Sequence, residues 1–438
     1  MSPGTVIDMP NDHAERTMLV GLVSGGIPRH VVDEHLDELE RLVDTAGGVV
    51  VERLVQERRR PDAATVIGSG LVSRLSELCA AADIRTVVFD EDLTGSQVRN
   101  LERSLPKNVK VVDRAAVILD IFAQRARTRE AQTQVELAQL NYLLPRLTRR
   151  WQHLSRQAGG IGTRGVGETQ LEIDRRLIQR RISQLKEKLE VIERDRRLRR
   201  QRRDQLPNIT LAGYTNAGKS SLFTRLTRAR VLAEDRLFAT LDPRARRVSL
   251  GDDVVAVMTD TVGFIRKLPH HLMAPFRSTL EEAADAELVL HVVDAAHPNW
   301  QEHLQVGDEV LDDLGVQRDR ILVVLNKIDL LEPRAQIAVP LGRIGIAVSA
   351  ATGSGLEGLR ELARHTLLAA PDVAFLRVPL AQPEAIERAV KLPHQLARRF
   401  DDRSLEMAMR VDGRRLTEAG LGDFLVSGWG ADDSDGGR

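Results

Sequence analysis

"NITLAGYTNAGKSSLFTRL", residues 208–226, sets an apolar run ahead of Gly213-x-x-x-x-Gly218-Lys219-Ser220 and an amphipathic run behind it. Strand, glycine-rich turn and helix in that order are the context a phosphate-binding loop requires. Glycines let main-chain amides close around phosphate oxygens at a helix N-terminus, a lysine reaches the β and γ phosphates, and the next hydroxyl faces Mg2+. The spacing predicts nucleotide contacts from Gly213, Tyr214, Thr215, Asn216, Ala217, Gly218, Lys219, Ser220 and Ser221. Lys219 is expected to act in catalysis as well, and Ser220 to bind the metal.

Two further stretches fit the same site. "VVAVMTDTVGF" ends an apolar strand in Asp260, Thr261, Val262 and Gly263, where a carboxylate can hold a magnesium-bound water and the Gly263 amide can meet a γ phosphate. "ILVVLNKIDL" ends another strand in Asn326, Lys327, Ile328 and Asp329. The Asp329 carboxylate selects guanine, because it accepts from both N1-H and the exocyclic amine. Against adenine it would face a lone pair, at about 1 to 3 kcal/mol or more. Asn326 is expected to brace the base loop, the Lys327 stem to cover a base face, and amides near Ser349 and Ala350 in "IAVSAATGSG" to donate to guanine O6. These residues together predict GTP binding with Mg2+. Between the first two stretches, "LFATLDP" offers Phe238, Ala239, Thr240, Leu241 and Asp242, with Thr240 completing metal coordination. Phe264 follows Gly263 where many GTPases carry a water-orienting glutamine, so slow intrinsic hydrolysis is expected. His270 and His271 read as exposed loop histidines rather than a catalytic base.

At 438 residues the chain is long enough for several domains. No run approaches the length of a membrane span, and the N-terminus lacks a basic-then-apolar signal pattern, so a cytoplasmic monomer with no membrane span is expected. The single cysteine, Cys79, cannot form an internal disulfide, and no Cys/His spacing suggests zinc. Basic and acidic residues balance at 63 each, but 13 basic against 4 acidic residues fall between Arg175 and Arg203, on what reads as one helix.

Four blocks follow from the alternation of apolar runs and amphipathic stretches. Residues 17–113 read as a parallel α/β domain and 114–206 as a helical coiled-coil arm. Residues 207–371 read as a P-loop G domain, and 372–438 as a small α+β domain with a disordered tail. The fold class is α/β. In the arm, Leu171, Ile178, Leu185 and Ile192 recur every seven residues, with Ile182 and Leu189 between them, which predicts a seam against the helix before Pro145. The loop "GGIGTRGVGETQ", Gly159–Gln170, contains Gly160-Ile-Gly162-Thr-Arg-Gly165. It is no dinucleotide fingerprint, because its lead-in "LTRRWQHLSRQA" is polar and basic. Thr169 and Glu172 match a capping box, so a helix is expected to leave the loop there.

The chain resembles the HflX family of GTPases over nearly all of its length to about residue 371. The resemblance is carried by "VIGSG" (66–70), "DIFAQRARTREAQTQVELAQLNYLLPRLTRRW", "GGIGTRGVGETQLEIDRR", "GYTNAGKSSLF", "LFATLDP", "DTVGFIRKLPHHL" and "NKID". It implies binding to the large (50S) ribosomal subunit, with the arm's loop near the peptidyl transferase centre, and GTP-dependent splitting of stalled or stress-damaged ribosomes. On that resemblance Arg164, between Gly162 and Gly165, enters a crowded RNA pocket while the basic helix meets rRNA phosphates. Val166 stands where the family usually has proline, and "DPRARR" replaces a commoner threonine pair. An ATP-driven RNA remodeller and a non-catalytic RNA-binding adaptor with structural GTP are the competing readings.

Overall fold

The computed structural model of the protein describes residues 15–147, 166–201, 206–228, 238, 244–251, 253–265, 282–332, 337–370, 372–411 and 413–429. The chain forms two compact units, which among the described residues divide between Glu190 and Val191.

The first unit alternates strands and helices: β1 (Glu15–Val23), α1 (Arg29–Ala46), β2 (Gly48–Glu57), α2 (Ser69–Ala81), β3 (Thr86–Phe89), α3 (Gly95–Ser104), β4 (Lys110–Asp113), α4 (Arg114–Arg125) and α5 (Arg129–Leu143). All strand pairs are parallel, in the order β2-β1-β3-β4. The inner strands are continuous apolar runs because both faces are covered, while the edge strand β2 exposes Val49 and Val51. Helix starts follow local chemistry. Thr94 and Gln97 form a reciprocal capping box at α3, and Asp113 and Thr128 accept from the amides of Ala116 and Ala131 at α4 and α5.

Buried charge is paired here. Arg114 is 1 % exposed, and its guanidinium donates to Asp90 at 3.0 Å, to Glu38 at 3.1 Å and to the His35 carbonyl at 2.9 Å. Substituting Arg114→Met should therefore lower the stability of this unit by about 3–5 kcal/mol, since it strands the buried Asp90 carboxylate. Chemical denaturation followed by hydrogen exchange in β3 and β4 checks this. A loss under about 1 kcal/mol would show the network to be dispensable.

Helix α6 spans Val166–Gln201. It begins three residues before Thr169, so the capping-box reading misplaced its start: the helical turn already includes Val166, and Thr169 lies inside it. Of the expected seam, Ile182, Leu185 and Leu189 are buried, whereas Ile178 and Ile192 are half-buried. Arg181 donates twice to Glu136 of α5, at 2.7 and 2.9 Å, so the basic helix does meet the helix before Pro145. That earlier helix stops at Leu143 and tightens into a 3-10 turn over Leu144–Arg146, as the proline requires. Gly162, Arg164 and Gly165 lie outside the described residues.

The second unit carries β5 (Asn208–Gly213), α7 (Lys219–Thr227), β6 (Arg244–Ser249), β7 (Val255–Asp260), β8 (Leu288–Asp294), α8 (Trp300–Asp313), β9 (Ile321–Asn326), β10 (Gly345–Ala347) and α9 (Leu356–Leu368). Its six-stranded sheet runs β10-β9-β8-β5-β7-β6, parallel except for the β6/β7 hairpin. Strand order reverses at β5, which has β8 on one side and β7 on the other, so a crevice opens beyond the carboxyl ends of these strands. Every motif singled out at a strand end lies along that edge.

A second sheet, antiparallel in the order β12-β13-β11-β14, follows from β11 (Val373–Pro379), α10 (Pro383–Lys391), β12 (Gln395–Phe400), β13 (Ser404–Arg410), α11 (Gly413–Glu418) and β14 (Leu425–Val426). Leu376, Val378, Leu405, Met407 and Met409 pack with Ala385, Ala389, Leu416 and Leu421. Leu396, Ala397 and Ala408 instead join the core of the six-stranded sheet, and Ala397 bridges Val254 at the β6–β7 turn. No described helix is long and apolar enough to cross a membrane.

Candidate nucleotide site

The turn between β5 and α7 is built on conformations that few residues tolerate. Gly213 has φ 141°, and a Cβ there would lie 2.1 Å from the Val292 carbonyl oxygen of β8. Gly218 has φ 90°, and its Cβ would lie 2.2 Å from Asn326 Nδ2. Asn216, at φ 61°, takes the left-handed region that asparagine accepts better than most residues. The glycines are thus set by the neighbouring strand and the base loop, and the backbone of Tyr214, Thr215 and Ala217 follows them.

Lys219 is 6 % exposed, and its ammonium donates to the carbonyls of Gly213 at 2.9 Å and Tyr214 at 2.8 Å. Burial pushes it down from its ordinary 10.5 to about 8, with Asp260 opposing the shift. The unfolded chain therefore holds this proton more tightly than the folded one. Stability from this group is present above 10.5 and is lost as pH falls through about 8, where the fold must hold a charged, buried ammonium. A polyphosphate beside it would restore the proton, so GDP binding near pH 8.5 should take up protons and near pH 6.5 should not draw on this group. Calorimetry in buffers of differing ionisation enthalpy, with Lys219→Met as control, measures the uptake. An equal uptake in the variant would assign it elsewhere.

Ser220 Oγ donates to Asp260 Oδ2 at 2.7 Å. A hydroxyl and a carboxylate this close are a hard oxygen pair of the kind Mg2+ takes alongside phosphate oxygens and water. Thr261 donates to the Leu211 carbonyl, fixing the chain as it leaves β7. Gly263 lies tight against the phosphate loop, since a Cβ on it would meet Thr215 Cα at 2.8 Å and Lys219 Nζ at 2.9 Å. The next residue ties the two loops together: the Thr215 amide donates to the Phe264 carbonyl at 2.7 Å, and the Phe264 amide to the Gly213 carbonyl at 2.9 Å. Val262 and the Phe264 side chain are buried, and the Phe264 ring meets His291 edge-on at 6.4 Å. Burial pushes that histidine down to about 3, so it is neutral at ordinary pH.

At the base end, Asn326 donates to the Ala217 carbonyl at 2.9 Å and accepts from the Ala350 amide at 2.9 Å, bracing one loop against the other. Lys327 sits at φ 66°, and Asp329 accepts a hydrogen bond from the Ser349 hydroxyl. Ile328 opens a short 3-10 turn that presents Asp329. The Ser349 amide is engaged with the Ser354 carbonyl, and the Ala350 amide can reach guanine O6 only by sharing its bond to Asn326. Phe238 is buried at φ 54°, whereas Ala239, Thr240, Leu241, Asp242, His270 and His271 lie outside the described residues.

Three partners escaped the sequence reading. Arg225, on α7, donates to the carbonyls of Ala350 and Ala351 and ties the phosphate helix to the base loop. His303 of α8 stacks on the Tyr214 ring at 4.1 Å, and Asp294, ending β8, pairs with Lys327. Nothing in the local pattern of these residues separates them from ordinary surface positions.

Three family descriptions match: a GTP-binding GTPase N-terminal region over residues 33–123, a GTP-binding GTPase middle region over 125–203, and a 50S ribosome-binding GTPase over 208–327. GTPase HflX of Escherichia coli (strain K12) is 43% identical over 412 residues, covering 90% of this chain and 94% of its own. GTPase HflX of Magnetococcus marinus is 49% identical over 357 residues, covering 81% of this chain and 82% of its own. Among solved structures, a GTP-binding protein from the hyperthermophilic archaeon Sulfolobus solfataricus in complex with GDP is 25% identical, with a TM-score of 0.43 over 81% of this chain and 98% of that one.

Proposed function

We propose, from the premise that this chain belongs to the HflX family of GTPases and binds and hydrolyses GTP, that its GTP-loaded form engages the large ribosomal subunit and splits ribosomes. The observation that carries this reading is the direct tie between the Phe264 backbone and the phosphate loop, which lets a γ phosphate act on the chain that follows.

On this reading the amides from Gly213 to Ser221 surround the phosphates, and Lys219 exchanges its carbonyl partners for phosphate oxygens. Ser220, Thr240 and Asp260 would hold Mg2+, directly or through water, which when bound supplies charge for the β and γ oxygens. Gly263 offers its amide to the γ phosphate, and Asp329 selects guanine. The Phe264 ring is turned into the core and has no group with which to orient water, so intrinsic hydrolysis is slow and the ribosome stimulates it. In the arm, α6 presents exposed Arg175, Arg176 and Arg180 to rRNA phosphates, and Arg164 enters an RNA pocket near the peptidyl transferase centre.

Sedimentation of purified ribosomes with the protein tests this. Splitting is expected with GTP and with a non-hydrolysable analogue, and not with GDP; intact ribosomes in all three states would remove the reading. Arg164→Ala is expected to keep GTP binding and to lose splitting. Splitting at the unsubstituted rate would detach the loop from that role.

A further inference from the structure

We propose that Asp294 is a positioning residue for guanine-nucleotide binding, holding the Lys327 ammonium so that the lysine stem forms a fixed wall of the base site. The inference rests on the base-site reading given above and adds to it a residue outside its motifs.

Asp294 ends β8 and lies beside Asn326 in the β8/β9 register. Its carboxylate is itself fixed: Oδ1 accepts from the Ala296 amide at 3.1 Å, leaving Oδ2 to meet Lys327 Nζ at 2.7 Å. The two side chains are 19% and 23% exposed, so the pair is shielded enough to hold one geometry and open enough to border a ligand. Two backbone bonds set the frame, from Ala295 N to the Asn326 carbonyl at 2.8 Å and from Ile328 N to the Val348 carbonyl at 3.3 Å. Lys327 Cε lies 4.0 Å from the point where a Gly218 Cβ would sit. The stem therefore runs from the phosphate loop to the end of β8. A lysine has four rotatable side-chain bonds, and an apolar stem can cover a base face only while those bonds stay ordered. Anchoring the head at Asp294 orders them before the nucleotide arrives, and the left-handed backbone at Lys327 starts the stem in that direction.

The test is GDP affinity of the full chain as wild type, Asp294→Asn, Lys327→Met and the double variant. Asp294→Asn keeps the acceptor for Ala296 and loses the negative charge that faces the Lys327 ammonium. It is expected to weaken GDP about tenfold. The double variant should bind no more weakly than Lys327→Met alone, and preference for guanine over xanthine should not change, because Asp329 is intact. Asp294→Ser, too short to reach Lys327, should repeat the loss and guards against a folding defect in the first variant. Wild-type affinity in both Asp294 variants, or losses that add in the double variant, overturns the proposal. Wild-type affinity in Lys327→Met, which keeps an apolar stem and loses the ammonium, overturns the proposal alone, whereas wild-type GTP preference in Asp329→Asn overturns the base-site reading, which separates the two failures.

Discussion

Asp329→Asn is expected to lower GTP affinity by about a hundred- to a thousandfold and to raise affinity for xanthosine triphosphate. Guanine offers two donors on the edge that faces this side chain, N1-H and the 2-amino group. A carboxylate accepts both, whereas an asparagine amide places its own donor against the amine. Xanthine carries a carbonyl in place of that amine, so the same amide becomes a match. The Ser349 hydroxyl, which donates to Asp329 Oδ1, can still donate to the asparagine oxygen, so the loop keeps its brace. Competition of GTP and xanthosine triphosphate for the two proteins gives the answer directly. An unchanged preference for GTP in the variant would mean that another residue selects the base.

Gly213→Ala is expected to remove nucleotide binding altogether and to cost several kcal/mol of stability in the second unit. At φ 141° an alanine is strained before any contact is counted, and its Cβ would sit 2.1 Å from the Val292 carbonyl. That oxygen belongs to the backbone of β8, the hydrogen-bonded neighbour of β5, so it cannot rotate aside as a side-chain tip would. The strands would have to part at the point where the phosphate loop begins. Gly70→Ala is the matched control, because nothing lies within 4 Å of the added carbon. Thermal unfolding with and without GDP should show lower stability and no ligand shift for the first variant, and a normal ligand shift for the second. A GDP shift retained in Gly213→Ala would show that the loop tolerates a wider approach than this packing implies.

The phosphate loop and the base motif were legible because each function fixes a residue type at a fixed spacing, and a strand end supplies the context. The first unit's parallel sheet was legible for a related reason, since strands covered on both faces must be apolar throughout. Other features left no such trace. β12, "QLARRF", reads as polar chain because only Leu396 and Ala397 enter the core while Arg398 and Phe400 stay toward solvent. β6, "RARRVS", is an edge strand whose arginines are all exposed, so no apolar alternation marks it. The start of α6 was misread because a Thr-x-x-Glu spacing is also an ordinary pair of positions within a helix. Arg225 and Asp294 act through carbonyls and a lysine that the fold brings from far along the chain, which spacing in sequence cannot convey.

The central claim is that a γ phosphate at Lys219 and Gly263 changes how the whole chain holds a ribosome. The most direct measurement is the affinity of purified large subunits for the protein loaded with a non-hydrolysable GTP analogue and with GDP. At least about a tenfold tighter grip in the triphosphate state is the result this account requires; equal affinity in the two states would contradict it.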